Sequence, residues 1–175
     1  MVTDAVNRIE ETGVSDGIVQ IVLEYMRNHN TMTISTCGED GPWATALFYV
    51  NDRLNLYFLS DPKTLHCRNI AANPVVAATI NEDYHDWRKI KGIQLKGRVE
   101  MVSGAREKAF AFAIYTKKYP FVKEFFSSPA ALTKAMFTKV TSTTFYKLTP
   151  ERVLFLDNER GFGRREEILL SGASR

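Results

Sequence analysis

The sequence has little of what marks several large classes of protein. It contains only two cysteines and three histidines in 175 residues, and no stretch approaches the roughly 18 apolar residues that span a membrane. The first residues, MVTDAVNRIEETG, lack a basic start followed by an apolar run, so we expect no signal peptide. A disulfide-rich secreted protein and a membrane protein are therefore disfavoured, and we expect a cytoplasmic protein with reduced thiols.

Familiar catalytic and metal-binding motifs are also missing. The sequence has no HExxH, GxSxG, P-loop or GxGxxG pattern. The pair His85-Asp86 lies in a loop, where neighbours rarely form a catalytic dyad, and Cys37 and Cys67 are expected to pack as small apolar groups. The net charge of +3 is too small for a nucleic-acid surface. We therefore predict no metal site and no nucleic-acid partner, and we identify no catalytic side chain.

The composition is that of one globular domain. Hydrophobic residues make up 45%, charged residues 25% and aromatic residues 11% of the chain, which suits a packed core. We expect a flexible arm over 1–14, one domain over 15–165 and a loose tail over 166–175.

Periodicity predicts a mainly β chain with flanking helices. One amphipathic helix begins at Ser15 or Asp16, and a second opens with Asp61 as its cap and Pro62 in its first turn. A third follows Gly104. Alternating patterns predict strands over 31–36, a hairpin of 42–50 with 53–60, a fully buried strand over 75–80, and strands over 92–102, 143–148 and 152–156. The tight turns imply antiparallel pairing, so we predict a small, nearly closed antiparallel β-barrel.

Three segments contain groups that could bind a ligand. In Ser60–His66 a strand gives way to a helix, where N–H groups, two hydroxyls, Lys63 and a histidine could hold a phosphate. Gln94 offers an amide on the polar face of its strand, and Gly97 suggests a bulge or a close backbone approach. Residues 157–165 place a phenylalanine and arginines between glycines. Taken alone, the first segment is more typical of a capped helix, the second of the polar face of a strand, and the third of a solvated tail.

Together these segments resemble a known family. The run S-D-P-K-T-x-H-x-x-N-I-x-x-N-P-x-V, followed by x-Q-L-K-G-x-V, is similar to the FMN-binding split β-barrel of the pyridoxamine 5'-phosphate oxidase-like proteins. The ending DNERGFG further resembles a small bacterial subgroup of uncharacterised members. The resemblance covers about residues 16–165.

The resemblance implies a homodimer with FMN at its interface. Ser60, Lys63, Thr64 and His66 would hold the FMN phosphate, and Gln94 would contact the edge of the flavin. The backbone of one strand segment would line the flavin ring, through Thr45, Ala46, Leu47 and Phe48. A later loop, with Phe162 and Arg164 at its ends, would cap the flavin of the partner subunit.

The implied function is that of a flavoprotein oxidoreductase that moves hydride or electrons between FMN and a small-molecule substrate, with NADH or NADPH as an optional partner. Two alternatives stay open: a flavin- or ligand-binding module without turnover, which would act as a carrier or sensor, and a reductase that uses the deazaflavin F420. The second alternative depends on a modest basic patch formed by Lys89, Lys91, Lys96 and Arg98.

The sequence also departs from the true oxidase of this family. Where that enzyme has an arginine and a lysine on one strand, this chain has Thr45 and Tyr49. Where it has S-R-K at a helix start, this chain has Thr64, Leu65 and His66. Its C-terminal substrate-binding pattern is absent as well. We therefore expect a substrate other than pyridoxamine phosphate.

Overall fold

One antiparallel sheet organises the part of the chain that the computed structural model describes, residues 17–122 and 142–170. The predicted arm over 1–14 lies outside these residues. The eight strands are β1 (Thr31–Gly38), β2 (Gly41–Phe48), β3 (Val50–Asp52), β4 (Asn55–Ser60), β5 (Val75–Asn81), β6 (Lys91–Met101), β7 (Thr144–Asp157) and β8 (Arg165–Ile168). The helices are α1 (17–28), α2 (Leu65–Ala72) and α3 (Ala105–Lys118), with a 3₁₀ turn at Trp87–Lys89.

The sheet curls into a half-barrel, which confirms the predicted fold class. Its strand order is β2-β1-β5-β6-β7-β4-β3, with β8 added to β7, and every pairing is antiparallel. Strand β2 also contacts β4 across the opening, so the concave face encloses the main core. The helices α1 and α2 cover this core, and α3 covers a second apolar cluster behind β3 and β4. No helix in the described ranges is long and apolar enough to cross a membrane.

The predicted hairpin of 42–50 with 53–60 is wrong in its pairing. Strand β2 pairs along its length with β1, and only the short β3 pairs with β4. The chain changes direction at Tyr49, whose fully buried side chain donates from its hydroxyl to the carbonyl of Met26 at 2.7 Å. Its backbone N–H donates to the Asn30 carbonyl at 3.1 Å, which extends the β1–β2 register by one further pair. Tyr49 therefore ties the end of β2 to α1.

The second helix begins three residues later than the sequence indicates. Its cap is Thr64, and Asp61 instead accepts the N–H of Lys63 at 2.9 Å, while Thr64 N–H donates to the Asp61 carbonyl at 3.0 Å. These bonds form a tight turn over residues 61–64, which suits Pro62 as well as a helix start would.

Four further expectations need correction. The predicted strands 143–148 and 152–156 are one strand, β7, because a bulge accommodates the missing N–H of Pro150. The predicted tail from residue 166 begins instead with β8, whose Ile168 is buried against the core. The strand predicted as fully buried over 75–80 alternates between buried and exposed positions, and Cys37 is exposed whereas Cys67 is buried.

The close approach predicted at Gly97 is confirmed. The register between β6 and β7 shifts between Lys96 and Gly97, opposite Pro150. A Cβ atom at Gly97 would lie 2.4 Å from the carbonyl oxygen of Thr149. Only glycine fits this position without moving the backbone of β7.

Candidate functional site

Three of the residues predicted to hold a phosphate form one cluster. Ser60 ends β4, Thr64 caps α2, and His66 lies in the first turn of α2. The Ser60 Oγ lies 2.7 Å from His66 Nε2 and 3.4 Å from Thr64 Oγ1, and the Thr64 Oγ1 lies 3.2 Å from His66 Nε2. We call these three side chains the phosphate cluster. The fourth predicted residue, Lys63, is exposed beside it.

The surroundings of this cluster favour an anion. No side chain caps the amino end of α2, and its first turn holds no acidic residue, so its N–H groups and the positive end of the helix dipole face outward from the helix. The nearby carboxylate of Asp61 is engaged elsewhere, because Oδ1 accepts from Lys63 N–H at 2.9 Å and Oδ2 accepts from Ser142 Oγ at 2.7 Å.

The thiol of Cys67 lies beside the phosphate cluster and forms hydrogen bonds with its side chains. The sequence suggested only an apolar packing role for this residue. Burial raises the pKa of this thiol, but hydrogen bonds with His66, Ser60, Thr64 and Tyr146 outweigh burial and lower the pKa to about 7. The donors around the cluster therefore stabilise negative charge. The signal that could have revealed this in the sequence is the position of Cys67 directly after His66.

The predicted ring-lining segment, Thr45–Phe48, lies on the edge strand β2. This strand pairs with β1 on one side and is the terminal strand of the sheet, so its other edge pairs with none of the described strands. Ala46 and Phe48 are exposed, and Phe48 packs edge-to-face against Tyr119, with ring centroids 5.3 Å apart. Helix α2, which with its cap carries two residues of the phosphate cluster, contacts the same strand β2.

A second group of predicted residues gathers around Gln94. Its Oε1 accepts from Arg165 Nε at 3.1 Å, and Arg165 Nη1 donates to the Gly163 carbonyl at 3.3 Å. Phe162 and Arg164 are exposed in the same turn between β7 and β8. Gln94 also lines a cavity of about 370 Å³ together with residues such as Thr79 and Lys91.

The two groups lie far apart on one chain. Ser60 pairs with Thr144 at the start of β7, whereas Gln94 pairs with Leu154 near its end. Ten residues of β7 separate these positions, which is about 33 Å of strand at roughly 3.3 Å per residue. Measured along the strand, this separation exceeds the length of a mononucleotide, so the two groups occupy distant parts of the sheet of one chain.

The phosphate cluster nevertheless fits the phosphate of FMN. Two hydroxyls, an imidazole and an uncapped helix start lie together there, and the exposed Lys63 is adjacent in sequence. Such donors are the usual partners of a phosphate. No group of three or more His, Cys, Asp and Glu side chains within residues 17–122 and 142–170 could hold a metal ion.

Comparison with known proteins agrees with this geometry. The sequence model of the pyridoxamine 5'-phosphate oxidase family matches residues 19–157. The chain belongs to this family. Its half-barrel is therefore the split barrel of the pyridoxamine 5'-phosphate oxidases, and the resemblance seen in the sequence is confirmed.

Relatives within and around this family are diverse. A UPF0306 protein of Photorhabdus laumondii is 28% identical over 148 residues, which cover 83% of this chain and 92% of that protein. The crystal structure of a proposed pyridoxamine 5'-phosphate oxidase of Listeria innocua has a TM-score of 0.60 at 16% identity, covering 79% of this chain and 98% of that one. A heme binding protein of Mycobacterium smegmatis has a TM-score of 0.62 at 21% identity, covering 83% of this chain and 56% of that one. These two structures support the fold alone; one is a proposed oxidase and the other a heme binding protein.

Proposed function

We propose that this protein binds FMN between two copies of itself and is a flavin-dependent oxidoreductase that acts on a small molecule. The observation that carries the proposal is the phosphate cluster of Ser60, Thr64 and His66 at the uncapped start of α2. It lies where members of the family that bind FMN are expected to hold the phosphate.

The separation of the two groups supports a site shared by two copies of the chain. One copy supplies the phosphate cluster and the backbone of Thr45–Phe48, and the other supplies Gln94 and the turn that contains Phe162 and Arg164. The edge of β2 supports this arrangement, because Trp43 and Phe48 are 49% and 48% exposed there. Exposed aromatic residues beside an unpaired strand edge are typical of a surface that another chain covers.

The side chains bind and orient the cofactor. Ser60 and His66 would donate hydrogen bonds to the phosphate, and the Lys63 ammonium would add a positive charge. The Thr64 hydroxyl, which donates to the Asp61 carbonyl at 2.8 Å in this structure, would donate to the phosphate after rotating. The Gln94 amide donates to, or accepts from, a heteroatom at the edge of the ring. Bound FMN supplies hydride and electron transfer, so the protein needs no acid or base of its own.

We infer a substrate other than pyridoxamine phosphate. The position at which the true oxidase has a lysine is Tyr49, which is fully buried and donates to the Met26 carbonyl. Its side chain therefore cannot contact a ligand, and Thr45, at the arginine position, carries no charge. The chain thus lacks the two cations that the true oxidase carries on this strand, and it also lacks that enzyme's C-terminal substrate-binding pattern.

A ligand-binding module without turnover is the second candidate. The heme binding protein of Mycobacterium smegmatis shares this fold, so the barrel can serve a binding role. The deazaflavin alternative is less well supported, because two residues of its basic patch pair with acids: Lys91 with Glu159, and Lys96 with Glu151 at 3.9 Å.

Anaerobic mixing of the FMN-loaded protein with NADH or NADPH separates the enzyme from the module. We expect the absorbance of the oxidised flavin, at about 450 nm, to bleach faster than that of free FMN at the same concentration, and to return when air is admitted. Bound FMN that bleaches no faster than free FMN with either dinucleotide would favour a carrier or sensor.

A further inference from the structure

A buried asparagine connects the helix of the phosphate cluster to the first strand of the sheet. Asn69 lies in α2 and is 8% exposed, and Thr36, its partner on β1, is 2% exposed. The Asn69 Nδ2 donates to Thr36 Oγ1 at 3.2 Å, and the Thr36 hydroxyl donates to the carbonyl of Trp43 on β2 at 3.4 Å. These two bonds link α2 through β1 to the edge strand.

The sheet leaves room for this amide at a glycine. Gly38 is the last residue of β1. A Cβ atom there would lie 2.7 Å from Asn69 Cγ and would overlap Oδ1. Glycine at this position therefore lets the amide come close enough to β1 to reach Thr36. The fit indicates that the side chain of Asn69 has one specific place against the strand.

Asn69 lies too far along α2 to be a phosphate ligand itself. It comes five residues after the cap, Thr64, which is about 7.5 Å along the helix axis at 1.5 Å per residue. Its Nδ2 is engaged with Thr36, and its carbonyl accepts from Asn73 N–H at 2.7 Å. Any effect of Asn69 on phosphate binding therefore passes through the position of α2.

Helix α2 is held on the sheet by apolar packing and by directional hydrogen bonds. Cys67 and Ile70 are buried in the main core, where apolar contacts attract the helix without fixing its direction. The His66 Nε2 lies 2.7 Å from Ser60 Oγ on β4. Asn69 fixes the same helix to β1, which is not a neighbour of β4 in the sheet. Without the bond to β1, α2 could shift, and the donors of the cluster would move relative to Ser60.

We propose that Asn69 is a positioning residue that holds the phosphate cluster in place by fixing α2 to β1, and that Gly38 admits its side chain. The inference rests on the proposed function, since it concerns the same phosphate site. A directional hydrogen bond between buried groups selects one arrangement where apolar packing allows several. The contribution of Asn69 therefore belongs to the affinity for the phosphate and not to the contacts of the flavin ring.

The ratio of the affinities for FMN and riboflavin measures this contribution, because the two ligands differ only in the phosphate. Both affinities are obtained from the quenching of flavin fluorescence on titration with the full chain. We expect N69A to lower the preference for FMN about 3- to 10-fold, which is the effect of one lost hydrogen bond. Alanine favours a helix more than asparagine does, so this loss would not come from a weaker helix.

Substitutions on β1 change the same contact from the other side. T36V removes the hydroxyl at nearly the same shape and is expected to lower the preference as N69A does, whereas T36S keeps the hydroxyl and is expected to retain it. G38A forces the amide away from Thr36 and is expected to cause a similar loss. In the double variants N69A/T36V and N69A/G38A, the loss is expected not to exceed that of N69A alone.

N73A is the matched control, because it removes another asparagine amide at the end of α2, one that accepts from Val75 N–H at 3.1 Å in an exposed position. It is expected to leave the preference unchanged even where it lowers Tm. A preference retained in N69A and T36V, or an equal loss in N73A, overturns the role of Asn69 and leaves the proposed function standing. If the unsubstituted protein binds FMN no more tightly than riboflavin, both proposals fail together.

Discussion

Replacing Lys63 and His66 together by alanine is expected to weaken FMN binding by up to about 100-fold, since each charge-assisted hydrogen bond to a phosphate contributes about 1.5–3 kcal/mol before neighbouring donors compensate. The His66 Nε2 lies 2.7 Å from Ser60 Oγ, so its removal also takes away a partner of that hydroxyl. Affinity is measured from the quenching of flavin fluorescence on titration with protein.

Riboflavin is the control ligand for this double variant, because it has the same ring and no phosphate. We expect its affinity to stay within about twofold of the unsubstituted value, so that the preference for FMN over riboflavin falls. R68A is the control variant, since it removes an exposed cation from the same helix. An equal loss for both ligands, or a loss in R68A of the same size, would contradict this placement of the phosphate.

Replacing Gly97 by alanine is expected to reduce the free energy of unfolding by about 3 kcal/mol, the upper range for an overpacked site. The new Cβ would lie 2.4 Å from the Thr149 carbonyl oxygen and 3.0 Å from Pro150 Cα, both of which are backbone atoms. The bulge between β6 and β7 must open to admit it. Thermal unfolding followed by circular dichroism should show a decrease in Tm of roughly 6–12 °C for a chain of this size.

Gly104 provides the matched control, because a Cβ atom there meets nothing within 4 Å. G104A is expected to change stability by about 1 kcal/mol or less, the usual effect at a helix cap. Equal destabilisation by the two substitutions would mean that the close approach of Gly97 to the backbone of β7 is not the cause of the lost stability.

The strands were predictable because their side chains alternate so clearly. In β6 the buried Ile93, Leu95 and Val99 alternate with polar residues, and the sequence placed this strand to within one residue at each end. The pairing of β2 was not predictable from local pattern, because the break at Tyr49 depends on a hydrogen bond to Met26, far away in sequence. Tertiary contacts of this kind override a hairpin signal.

The candidate site was likewise predictable from the sequence only in part. The sequence indicated Ser60, Thr64 and His66 through their motif, and the structure brings them together. The motif that contains Asn158 was visible in the sequence, but its contacts with Trp87 and Ile90 were not, since these partners lie about seventy residues earlier. Only the pairing of β6 with β7 brings these segments into contact.

The visible spectrum and size of the protein after incubation with FMN and gel filtration test the central claim most directly. The account predicts a yellow protein that elutes as a dimer with close to one FMN per chain and shows flavin absorbance at about 375 and 450 nm. A colourless protein, or one whose visible absorbance comes only from bound heme, would contradict it.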